Sequence, residues 1–102
     1  MIFIFTSLPD KRTAVRVGKG LLEKRIIACY NLFPVESAYW WEGKIREEAE
    51  ILIILKTKSE DFEKVETYIK KHSSYEIPEV VAVTPGQVNK SYLDWIHSET
   101  KT

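Results

Sequence analysis

One cysteine, four glycines and four prolines in 102 residues, and no net charge, are the scarcities of this sequence. A disulfide needs two cysteines and a multi-cysteine zinc site needs more, so Cys29 alone excludes both within one chain. Lys plus Arg and Asp plus Glu are both 15, which leaves no overall field to draw the chain onto a phosphate backbone or an anionic membrane. No nucleic-acid partner is expected. No apolar run approaches the roughly 18 to 20 residues that cross a bilayer, and Met1-Ile2-Phe3-Ile4-Phe5-Thr6 lacks the basic region of a signal peptide. The expected location is therefore the cytoplasm, with no membrane partner. A Gly-rich phosphate loop, a nucleophile elbow and a His-carboxylate pair at metalloprotease spacing are all missing, and so is the aromatic and basic signature of an RNA-binding sheet. The chain does not read as an enzyme.

What is present suits a packed core: 44% hydrophobic residues and 12% aromatic, enough for a single domain over residues 1–102. Twelve per cent aromatics is more than a core of this size readily hides, so oligomerisation is expected.

Met1 to Thr6 is β-rich, and Ser7 and Asp10 flank Pro9 at the spacing of a capping box, so a strand should lead into a helix. In that helix Ala14, Val17, Gly18, Leu21 and Leu22 recur at the 3.6-residue period. Ile26 to Trp41 and Lys44 to Thr57 read as two long strands, the second holding Ile51-Leu52-Ile53-Ile54-Leu55. Glu42-Gly43 between them is a two-residue link, which predicts an antiparallel hairpin with arms of about 40 Å. A domain this small cannot cover such a tip, so a partner chain is expected to. Ser59-Glu60-Asp61 opens a second helix with Phe62, Val65 and Ile69 inward. Glu79 to Val83 reads as a short strand, and Asn89 caps a third helix with Tyr92, Leu93 and Ile96 inward. The order β-α-β-β-α-β plus a C-terminal helix predicts an α+β, ferredoxin-like fold with a long β-hairpin.

Several stretches also resemble the CutA divalent-cation tolerance family over nearly the whole chain: Leu21 to Leu32, Tyr39-Trp40-Trp41-Glu42-Gly43-Lys44-Ile45, Leu55-Lys56-Thr57, Tyr75-Glu76-Ile77-Pro78-Glu79 and Tyr92-Leu93-Asp94-Trp95. The resemblance implies a ferredoxin-like protomer and a homotrimer whose hairpins cross subunit boundaries. It further implies a non-catalytic role in divalent-cation tolerance, with copper or another divalent metal as ligand and none required for folding. A trimer built like the nitrogen-regulatory PII proteins is the alternative, a signalling or scaffold protein with a small ligand or partner in intersubunit clefts. The family carries a histidine and a proline where this chain has Ser73 and Ser74, and in some members a cysteine where it has Thr6.

The candidate metal ligands in the chain are His72, Glu76 and Cys29. His72 and Glu76 could hold copper or zinc with a third group from a neighbouring subunit, while His72 alone reads as a cation at a helix C-terminus. Cys29, among apolar neighbours, is either a packed thiol or a soft-metal ligand. Tyr39, Trp40 and Trp41 read as trimer-interface aromatics. Lys56, Tyr75 and Glu79 are charged or polar groups at strand ends, placed for an intersubunit cleft or for solvent.

Overall fold

The computed structural model describes residues 1–101, and Thr102, the last residue of the expected domain, lies outside the described residues. The order of elements is β1 (Ile2–Leu8), α1 (Lys11–Glu23), β2 (Cys29–Trp41), β3 (Lys44–Thr57), α2 (Phe62–His72), β4 (Val81–Val83) and α3 (Lys90–Glu99), with a 3-10 turn Ser59–Asp61 ahead of α2. The strands form one antiparallel sheet in the order β2-β3-β1-β4. Both crossovers skip a strand, as the split βαβ arrangement requires, so the expected α+β ferredoxin-like architecture is what the chain adopts.

Alternation along β1 sets the layers. Ile2, Ile4, Thr6 and Leu8 are buried beneath the helices, and Phe3, Phe5 and Ser7 fall on the other face. Ile4, Leu8, Ile53 and Leu55 of the sheet meet Ala14, Val17 and Leu21 of α1 and Val65 and Ile69 of α2 in a single core. Burying these aliphatic side chains is the main source of stability, at about 25 cal/mol per Å² removed from water. The opposite face is only partly covered: Phe33, Val81 and Val83 remain 42%, 51% and 48% exposed.

Local chemistry explains where elements begin and end. Asp10 caps α1, its Oδ1 accepting from the Thr13 N–H at 2.8 Å. Ser7, expected to share that role, stays in β1, paired with Leu52. The helix ends in a Schellman motif: the Arg25 N–H donates to the Leu22 carbonyl and the Ile26 N–H to that of Leu21, with Arg25 left-handed at φ 61°. That motif takes Ile26 and Ile27 into the core as a connection, so β2 starts at Cys29 instead of Ile26. β3 has the expected bounds, and Glu42 and Gly43 join it to β2 with φ of 51° and 76°, the two left-handed residues of a type I′ turn. The hairpin draws the molecule out to 45 × 27 × 21 Å. β4 is shorter than expected, three residues in place of five, because only Val81 to Val83 find partners on β1. Asn89 does precede α3, but its side chain donates to the Ser91 hydroxyl and caps nothing.

Candidate functional site

Residues 73–80, between α2 and β4, fold back over the open face of the sheet and meet the base of the hairpin. The cleft between them measures about 920 Å³. Its anchor is a hydrogen bond of 2.6 Å from the Tyr75 hydroxyl to the Glu50 carboxylate. Glu50 is only 8% exposed although it stands on the open face, where its carboxylate accepts from Tyr75. The start of this segment is tied locally, the Tyr75 N–H donating to the Ser73 hydroxyl at 3.1 Å. Higher in the hairpin the Tyr39 hydroxyl donates to Glu48 at 2.8 Å.

The period of two places these groups together. Register pairs Tyr39 with Arg46 and Trp41 with Lys44, so Tyr39 and Trp41 share a face with Arg46, Glu48 and Glu50. Trp40 falls on the other face opposite Ile45, and these two are 73% and 61% exposed. The three expected interface aromatics are thus divided between the two faces of one hairpin.

The cleft is acidic. Four carboxylates, those of Glu48, Glu50, Glu76 and Glu79, line it against one cationic side chain, Arg46. Burial pushes the Tyr75 phenol well above its ordinary range, and the bond to the Glu50 carboxylate adds to the shift. Glu79 is raised by burial first and by the charge of Glu50 second. Tyr39 is raised chiefly by its bond to Glu48. All three shifts favour the neutral forms, through burial first at Tyr75 and Glu79 and through the hydrogen bond to Glu48 at Tyr39.

Tyr75 and Glu79 both line this cleft within one chain, whereas Lys56 does not join them. It pairs with Phe3 and Cys29 six residues along β3 from Glu50, roughly 20 Å away at strand spacing. There its ammonium lies 5.8 Å from the Phe3 ring centre and 5.9 Å from that of Tyr92. Cys29 is beside it, half-buried, with Sγ 3.7 Å from the Tyr92 hydroxyl. Burial raises the Tyr92 phenol, and the contact with Cys29 raises it further. His72 ends α2 and stacks on Tyr68 with ring centres 4.1 Å apart, while Glu76 lines the cleft. Among the described residues no three His, Cys, Asp or Glu side chains converge as metal ligands. Cys29, His72 and Glu76 thus form no common ligand set among the described residues of one chain.

Glu48 and Glu50 were not among the residues singled out in the sequence. The signal was there: a two-residue turn at Glu42-Gly43 fixes the pairing, and counting by twos from Trp41 and Lys44 reaches both glutamates.

No helix among the described residues is long and apolar enough to cross a membrane. The family model described as "CutA1 divalent ion tolerance protein" matches residues 2–99. The divalent-cation tolerance protein CutA of Pyrococcus horikoshii is 42% identical over 101 residues, 99% of either chain. A crystal structure of that organism's CutA1 superposes with a TM-score of 0.95, at 41% identity and with full coverage of both chains. The CutA of Archaeoglobus fulgidus, described as periplasmic, gives 0.96 at 40% identity, covering 99% of this chain and all of that one. A PII-like protein CutA from Nostoc gives 0.93 at 32% identity, covering 99% and 98%. Length, fold and matched residues agree, and the chain belongs to the CutA1 divalent ion tolerance family.

Proposed function

We propose that this protein serves divalent-cation tolerance as a non-catalytic homotrimer that takes up copper or another divalent ion at the cleft between the hairpin and residues 73–80. The observation that carries the reading is the charge of that cleft, four carboxylates against Arg46. Walls of one sign with low-dielectric surroundings concentrate the opposite ion, and carboxylates suit divalent ions. Because the carboxylates of one chain do not converge, ligation is completed across the assembly, where Glu76 faces groups of a second copy. Cys29 and His72 join such a site only from another subunit. Support for assembly comes from the open sheet face, where Phe33, Val81 and Val83 leave apolar area in water.

The second reading, a PII-like trimer with an organic ligand in the same cleft, is favoured by the aromatic walls Tyr39, Trp41 and Tyr75 and by the PII-like relative. The acidic lining favours a cationic or neutral ligand over a phosphorylated one. We place the protein in the cytoplasm, and fractionation of cells producing the untagged chain tests this, since the Archaeoglobus fulgidus relative is described as periplasmic.

Calorimetric titration of chelator-stripped protein with Cu²⁺ tests the metal reading. Saturable uptake at an integral number of sites per trimer, weakened at least about tenfold by Glu79→Gln, is the expected result. Weak, non-stoichiometric heat would reject the metal and leave the cleft to an organic ligand.

A further inference from the structure

Helix α1 carries charge of the opposite sign to the cleft. In α1 four cations, Lys11, Arg12, Arg16 and Lys19, stand against Glu23 alone, so the neutrality of the whole chain conceals a basic helix α1 and an acidic cleft. Where the C-terminal end of α1 passes α2 there is a second groove, of about 730 Å³. Lys24, Lys64 and Lys71 edge it, with Glu63 as its one carboxylate. Its floor is apolar and aromatic: Ile26, 9% exposed, and the stacked pair Tyr68 and His72. Tyr68 lies so close over Gly20 that a side chain there would collide with it, which holds the floor against α1.

The lysines are available. Lys70, just outside, is neutralised by Glu66 at 3.2 Å. Lys24 and Lys71 form no ion pair among the described residues, and Lys64 reaches Asp61 only at 3.9 Å. The two unpaired ammonium groups, those of Lys24 and Lys71, on flexible stems beside an apolar floor complement a chain that is anionic on both sides of a hydrophobic anchor. We infer that this groove docks an acidic peptide segment of a partner protein, an aromatic or aliphatic side chain seated on Tyr68 and Ile26 and flanking carboxylates on Lys24, Lys64 and Lys71. The groove lies on the helix layer, away from the open sheet face, so docking is independent of the cleft and of assembly through the sheet.

Fluorescence anisotropy of the full chain with a labelled synthetic peptide, a single Phe between runs of Glu, tests this. Saturable binding that weakens about tenfold or more in the double variant Lys24→Glu, Lys71→Glu, and that falls with salt, is expected. Lys90→Glu, on α3 and remote from the groove, should bind as the parent does. Should the charge reversal disturb folding by circular dichroism, Lys24→Gln with Lys71→Gln gives the same comparison at lower cost. Absence of binding to the parent, equal loss in Lys90→Glu, or tighter capture of a single-stranded oligonucleotide through the same lysines would each overturn the assignment.

Discussion

Two buried polar groups have opposite consequences at the scale of the residue. Thr6 is fully buried in β1 and its hydroxyl has no hydrogen-bond partner among the described residues. An unsatisfied buried hydroxyl costs about 1–3 kcal/mol, and Val has the same shape without it. Thr6→Val is therefore expected to raise unfolding stability by about 1 kcal/mol, measured as a higher urea midpoint at unchanged slope. Tyr75 and Glu50 are the reverse case, since the phenol is what satisfies the buried carboxylate. Tyr75→Phe leaves Glu50 without its donor and is expected to destabilise by about 1–3 kcal/mol, with residues 73–80 losing protection in hydrogen exchange. The phenol's pKa is higher folded than unfolded, so the neutral form is the one the fold prefers. Its contribution is complete below about pH 10 and is lost as pH rises from there toward the folded value. Tyrosinate absorbance should show a tyrosine that ionises only together with alkaline unfolding, and that tyrosine should vanish in Tyr75→Phe.

The hairpin is the element on which the site depends, because its turn fixes which residues face the cleft. Glu42 occupies a left-handed position at φ 51°, where Asn is much better tolerated, while Gly43 suits its own φ of 76°. Glu42→Asn is expected to raise the thermal midpoint, by roughly 0.5–1 kcal/mol in stability, with register and cleft unchanged. Elements of this kind were legible in the sequence, since periodicity marks β1, α1 and α2 and a dense apolar run with a two-residue turn marks β3. Boundaries set by backbone geometry were not. The Schellman motif at Arg25 moves the start of β2 from Ile26 to Cys29, and nothing in two isoleucines distinguishes a ladder from a buried connection. Asn89 has the residue type of a cap but spends its amide on Ser91. Within the site, Tyr75 and Glu79 were singled out from the sequence, whereas the separation of Lys56 from them depends on how residues 73–80 cross the sheet.

On the scale of the whole molecule, an acidic cleft and an apolar sheet face stand on one side of the protein and the helices, with basic α1, on the other. A single chain leaves the first side incomplete in two respects, uncovered apolar surface and carboxylates that do not converge on a point. On the function proposed above, additional copies would answer both, burying Phe33, Val81 and Val83 and bringing a second set of donors to Glu76 and Glu79. Cation binding and assembly would then be one property, and an isolated protomer is expected to show neither. Native mass spectrometry of chelator-stripped protein before and after addition of Cu²⁺ reads both at once. The account predicts a mass three times that of the 11.9 kDa chain, with an integral number of copper ions retained by the trimer and fewer in Glu79→Gln. A protein that stays monomeric at micromolar concentration, or a trimer that holds no more copper than its Glu79→Gln variant, would contradict it.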